Sequence, residues 1–189
     1  MPSCLKVHEL TLLQISNICD RGFLGPHKCF QVFSPLLKPK AVNPYATLLM
    51  LFLNAAAETE HMSKTSDLKT FKSNHEAAMR RLTKYMPLDK AFMAKIRNAD
   101  DLGRKPEFLA RTGCTDFFKD WDSYFNTFMK DAKLPEFAKI CGLVMKKHHT
   151  LVERWPFRLG ARATQADFEL LRPSGFSGYE RYMEFERAE

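Results

Sequence analysis

The sequence predicts an all-α fold: a single compact multi-helix domain of about eight helices with no significant sheet. Three observations point there. Apolar residues recur at steps of three and four along most of the chain, the period of one helix face. Prolines and glycines fall at helix-length intervals rather than as paired hairpin turns. Sixteen Phe against only eight Gly suit large rings packed between helices. At 189 residues, 45% apolar and 27% charged, the composition is that of an ordinary globular domain. A chain of this size buries roughly 70% of its unfolded surface without disulfide or metal staples. No repeat or linker divides it, so one domain over 1–189 is expected, with 1–44 more irregular and 45–189 forming the helical body.

The elements follow in order. A first helix is expected from His8 to Cys19, with Leu12, Ile15, Ile18 and Cys19 on one side, stopping near Gly22. Residues 20–44 hold Gly22, Gly25, Pro26, Pro35, Pro39 and Pro44 and read as irregular, with a short extended piece at Cys29–Phe33. Asn43-Pro44 gives a cap followed by proline at the first helical position, opening a strongly apolar helix to about Met62. Ser66 then caps a helix to Met86. In it Leu68, Phe71, His75, Ala78, Met79, Leu82 and Met86 share one face, and Lys69, Arg80, Arg81 and Lys84 fan across the opposite one. Pro87 ends it, and Leu88–Ala99 resumes with Ala91, Phe92 and Ile96 inward.

A short helix runs from Pro106 to Gly113. Asp116–Ala132 places Phe117, Trp121, Tyr124, Phe125 and Phe128 on one broad side. Pro135 opens a long helix to Trp155, with Phe137, Ile140, Cys141, Val144, His148, Leu151 and Trp155 in register. Two last helices start at capping-box spacings, Thr164 with Asp167 and Ser177 with Glu180.

Charge narrows the function. The formal net charge is +7. Residues 64–111 carry twelve Lys and Arg against six acids, and 139–162 carry six against one, while 112–138 and 163–189 are net acidic. Two basic blocks around an aromatic, mildly acidic segment suggest a localised patch, the footprint expected for a polyanion partner. The competing explanation is that solvated helix faces simply favour Lys and Arg.

Candidate chemistry is sparse. Cys4, His8, Cys19, His27 and Cys29 fall within 29 residues and are the one set from which a zinc site could be drawn. The close cysteine pair of such sites is missing, and buried free cysteine is the better account, so no cofactor is expected. His148-His149 cannot chelate one ion from a helix, since adjacent residues point about 100° apart. His148 belongs to the apolar stripe and His149 lies away from it. Cys114 precedes the helix beginning near Asp116, where a lowered thiol pKa would suit a nucleophile. Sequence supplies it with no base and no orienting group. No phosphate loop is present, and the exposed Asp100-Asp101 is the only paired carboxylate of note.

The basic faces remain. Lys69, Arg80, Arg81 and Lys84 are followed by Lys95, Arg97, Arg104 and Lys105. In the second block Lys139 and Lys146 share an outward face, Lys147 and Arg154 flank it, and Arg158 and Arg162 continue beyond Pro156. Long cations on a rigid support suit phosphate contacts that release counterions. Tyr85, Trp155 and Phe157 could stack unpaired bases, although core packing is the better account of Trp155. No helix-turn-helix, zinc-finger or RNP spacing occurs, so sequence-specific readout is not expected.

The expected function is therefore a basic helical protein binding RNA or other single-stranded nucleic acid through backbone electrostatics, with self-assembly into a homo-oligomer, as in nucleoproteins and coats, as its extension. The alternative is a helical adaptor that docks a protein partner without nucleic acid, and third comes an enzyme with a non-local site. The N-terminus lacks a signal-peptide pattern. Five irregularly spaced cysteines suggest free thiols in a reducing intracellular compartment, cytoplasm or nucleus. The longest apolar stretch, Tyr45–Ala57, is about 13 residues, too short for a bilayer, so no membrane partner is expected.

Overall fold

The computed structural model describes residues 10–90, 94, 105–155, 159–160 and 162–188. It corrects the all-α expectation, because seven α-helices among these residues accompany a four-stranded mixed sheet. The elements are β1 (Leu12–Ser16), α1 (Pro26–Phe33), β2 (Thr47–Phe52), α2 (Ala55–Ser66), α3 (Leu68–Tyr85), α4 (Pro106–Cys114), α5 (Trp121–Asp131), α6 (Leu134–Ile140), β3 (Leu143–Met145), α7 (Gln165–Leu171) and β4 (Arg181–Arg187). Short 3-10 turns cover Ser34–Leu36 and Thr115–Phe118. Strand order is β1-β2-β4-β3. β1 and β2 are parallel, with Ile15 opposite Met50. β4 runs antiparallel to β2, placing Met183 opposite Met50, and also to β3.

Each departure from the helical expectation has a local cause. The expected first helix contains β1, where Ile15 is buried between exposed Gln14 and Ser16, a period of two. The chain then turns at Asn17, whose φ of 63° no right-handed helix allows. The segment 20–44, expected to be irregular, holds α1. Gly25 at φ 79° and Pro26 at the first helical position start a helix there rather than break one. The apolar run after Pro44 is not helical until Ala55. Thr47–Phe52 is the strand between β1 and β4, and burial on both faces gives a near-continuous apolar run without alternation. The long helix expected from Pro135 to Trp155 stops at Ile140; Gly142 takes φ 71° and the chain becomes β3 and then an irregular segment. Ser177 and Glu180 open no helix, and the next residues are β4. The other capping box does form, since the Thr164 hydroxyl accepts from Asp167 N–H and the Asp167 carboxylate accepts from Thr164 N–H. Most of the expected Leu88–Ala99 helix lies outside the described residues.

The chain divides into two compact units. The first draws on residues 1–59, 124–156 and 180–189 and contains the sheet. Its core packs Phe30 against Phe185, with ring centroids 4.8 Å apart, and Phe52 against Phe125 and Phe128, each at 5.4 Å.

Two fully buried carboxylates organise the loops of this unit. Asp20, after β1, accepts from the backbone N–H groups of Leu53, Asn54 and Ala55, so it occupies the anion-favouring start of α2. Burial, aided by nearby Glu58, outweighs these donors and holds its carboxyl above the usual range. Glu184, on β4, accepts from the N–H groups of Thr150, Leu151 and Val152 at 2.7–3.1 Å and from the Thr150 hydroxyl at 2.9 Å. Lys146 Nζ lies 3.3 Å away and also donates to the Thr47 and Thr150 hydroxyls. Burial alone would raise this acid, but the donors prevail and bring it down to about 2.

The second unit comprises residues 60–123 and 157–179. Ala78, Leu82 and Tyr85 of α3 pack with Cys114, Phe117, Phe118, Leu159 and Phe168. Tyr85 stacks on Phe118 and Phe168, and its hydroxyl donates to the Ala163 carbonyl at 2.9 Å. Lys119 bridges Glu60 at 2.9 Å and Asp116 at 2.8 Å.

The Glu184 cluster generates a pH prediction. Its folded-state pKa lies below its unfolded value, so the stability it contributes is full above about pH 4.5 and is lost as pH falls toward about 2. That corresponds to about 3 kcal/mol at neutral pH. Glu184→Gln should lower stability by about 3 kcal/mol at pH 7 and flatten the acid limb of the stability curve in urea unfolding. An acid limb unchanged by the substitution would refute this assignment.

Candidate nucleic-acid interface

The most exposed cationic element among the described residues is α3. Asp67 caps it, its carboxylate accepting from Thr70 N–H at 3.1 Å, one residue after the expected cap at Ser66. Eighteen residues give a rod of about 27 Å. Its burial is uneven: Ala78, Leu82 and Tyr85 are buried, whereas Leu68, placed on the inner face by the sequence pattern, is 51% exposed. The C-terminal half is therefore anchored in the core and the N-terminal half presents most of its surface.

Lys69, Lys72, Arg80 and Lys84 are all exposed on this helix. At 100° per residue they fall within an arc of about 120°. None of them forms an ion pair with the described residues. Lys84 lies over the Tyr85 ring at 5.3 Å, and Glu76 is the one acid on the same arc. Lys72 was not among the expected contacts, although its three-residue step from Lys69 was a legible signal.

Arg81 departs from that face. Its guanidinium donates to the carbonyls of Phe118 at 3.1 Å and Leu159 at 3.4 Å and packs over the Phe118 ring, so it ties α3 to its own core. Lys105 is half-buried at the N-cap of α4, and Arg162 is exposed. Lys95, Arg97, Arg104 and Arg158 lie outside the described residues.

The second basic block is not one helical face, because its described residues occupy α6, the segment that follows β3 and the turn before α7. Lys139 on α6 and Lys147 after β3 are exposed. Lys146, only 9% exposed, is held by Glu184. Arg154 donates to Asn126 Oδ1 at 3.0 Å and lies over the Phe125 ring. The proposed stacking rings are also occupied. Tyr85 is in the core, and the Arg181 guanidinium covers Trp155 at 4.0 Å. Phe157 lies outside the described residues.

The other candidate groups, where they are described, have the following surroundings. Cys19 donates to the Leu51 carbonyl at 3.0 Å, and burial pushes its thiol far up. Burial also pushes Cys29 up to about 11. His27 is exposed, stacked on Phe137 at 4.1 Å, with Nε2 2.5 Å from the Ala132 carbonyl oxygen. No three metal-ligating groups converge among the described residues, which do not include Cys4 or His8. Cys114 ends α4 and caps the short 3-10 turn Thr115–Phe118, and burial raises its thiol, the reverse of what activates a nucleophile. His148 is exposed, while His149 is half-buried with Nδ1 2.9 Å from the Val152 carbonyl oxygen, reversing the expected assignment. Asp100 and Asp101 lie outside the described residues.

Among the described residues no helix is long and apolar enough to cross a membrane. The thiol assignment carries a chemical test: in the folded protein Cys19 and Cys114 should react with iodoacetamide far more slowly than in urea, by mass-spectrometric mapping. Rapid native labelling of Cys114 would reopen a nucleophilic role. Comparison of the chain with protein-family models, with curated proteins and with solved structures finds no match.

Proposed function

We propose that the chain binds the phosphate backbone of RNA or another single-stranded nucleic acid through the exposed cationic face of α3. The observation that supports this reading is the arc of Lys69, Lys72, Arg80 and Lys84 on one rigid helix, none of them ion-paired with the described residues. Cations already neutralised by carboxylates release few counterions on meeting a phosphate; these four remain available to do so. The contact is electrostatic, because Tyr85 and Trp155 are engaged within the protein and are poorly placed to stack on bases. Affinity should then depend strongly on salt and weakly on base sequence.

Four phosphate contacts imply a log–log salt slope of roughly −3 for a single strand. Fluorescence anisotropy with a labelled oligouridylate should show that slope at low to moderate salt. The triple variant Lys69→Glu, Arg80→Glu, Lys84→Glu should lose at least about a hundredfold in affinity with its helix content unchanged by circular dichroism. Absence of wild-type binding at low salt, or wild-type affinity in the triple variant, would overturn the proposal.

A further inference from the structure

The second unit holds a buried cation with no ion-pair partner among the described residues. Arg111 on α4 is 2% exposed. Its Nη2 donates to the Thr83 hydroxyl at 2.6 Å, while its Nε and Nη1 are buried and donate to no described group. No described carboxylate forms an ion pair with it. Burial draws a guanidinium's pKa down, as it does here, yet an arginine keeps its proton at neutral pH. A full positive charge thus sits in a low-dielectric setting with part of its hydrogen-bonding capacity unused, one of the costlier arrangements a fold can keep. The hydrogen bond it does make leads outward. Thr83 is exposed on α3, three residues after Arg80 and next to Lys84.

We infer that Thr83, backed by Arg111 and flanked by Arg80 and Lys84, is a binding point for a phosphate group. This deepens the proposed α3 interface and rests on that reading for the source of the phosphate. The Thr83 hydroxyl accepts from Arg111 and donates to the Met79 carbonyl at 2.8 Å, a local back-bond within the helix. When an anion arrives, that proton turns from Met79 to a phosphate oxygen. The Met79 carbonyl keeps its ordinary helical acceptor role, so no buried group is orphaned by the exchange. Arg111 polarises the hydroxyl from behind and supplies an uncompensated charge that the phosphate neutralises through a single bridging oxygen. It is a positioning residue and does not touch the ligand.

The site lies in the last turn of α3, where the helix dipole opposes an anion with about half an elementary charge. Three whole cations outweigh that. Glu76 lies two turns toward the N-terminus and is the described acid of α3 on that face. The arrangement suits a tetrahedral oxyanion, whether a nucleic-acid phosphodiester or an inorganic polyphosphate, and the two are separable by experiment.

The test uses the full chain with two probes. Inorganic tripolyphosphate, followed by two-dimensional amide NMR, should shift the Thr83 amide saturably, and Thr83→Val and Arg111→Met should each weaken that binding at least tenfold. Arg111→Met should at the same time unfold at the same or a higher temperature, because it replaces an unpaired buried charge with an apolar side chain. Binding and stability moving in opposite directions is something a purely structural role would not produce. If Arg111→Met fails to fold, Thr83→Val alone decides. A labelled oligouridylate should bind Thr83→Val about tenfold more weakly with its salt slope little changed, because the hydroxyl carries no charge. Tripolyphosphate binding at Thr83 without oligonucleotide binding would keep the site and remove the nucleic-acid reading. Oligonucleotide binding unaltered by Thr83→Val, or no saturable shift at Thr83, would overturn the site and leave the proposed function standing.

Discussion

The sheet-bearing unit depends on how Glu184 is solvated once water has gone. Its carboxylate lies on the strand that pairs with both β2 and β3, where no water reaches it. A charge placed there is tolerable only if donors converge on it. They come from three consecutive backbone N–H groups, one hydroxyl and one ammonium, all supplied by the chain between β3 and the end of that loop and by Lys146 itself. A helix through residues 146–152 would direct those N–H groups into its own carbonyls. The buried acid therefore selects the extended and looped conformation that an isolated reading of the apolar spacing would not choose. The same demand withdraws Lys146 from any external role.

Asp20 repeats the principle on a smaller scale. It gathers the first N–H groups of α2, which the helix cannot satisfy internally. In doing so it fixes the turn between β2 and α2 and closes off that helix start as an anion site. The proposed interface lies instead where exposed cations have no ion-pair partner among the described residues, as along α3.

The sequence disclosed its helices better than its strands, and the physical reason differs by element. Amphipathic helices that pack one face on a core, such as α3, α4 and α5, carry their period openly, and the Thr164–Asp167 box marked the start of α7. β2 hid because a central strand is apolar on both sides and looks like a helix core. β1 and β4 hid because five or seven residues fit either period until a partner strand decides. α1 was concealed by the Gly25-Pro26 pair, which reads as a breaker but starts a helix. Of the candidate interface, Lys69, Arg80 and Lys84 were legible from helical spacing. The diversion of Arg81 to two carbonyls, of Arg154 to Asn126 and of Lys146 to Glu184 was not, since each partner is set by tertiary contact. The pairing of Arg111 with Thr83 was equally invisible, because nothing in the spacing of α3 and α4 records which side chains meet.

What emerges is a mixed α/β structure whose two fully buried loop-organising carboxylates are satisfied by converging donors, while exposed cations along one helix and one buried arginine have no ion-pair partner among the described residues. Amide hydrogen exchange tests the foundation of this account most directly. At neutral pH the N–H groups of Thr150, Leu151 and Val152 should exchange orders of magnitude more slowly than those of an open loop, close to the protection of Leu48–Phe52 in the central strand. Exchange of these three amides at open-loop rates, with the strand still protected, would contradict it.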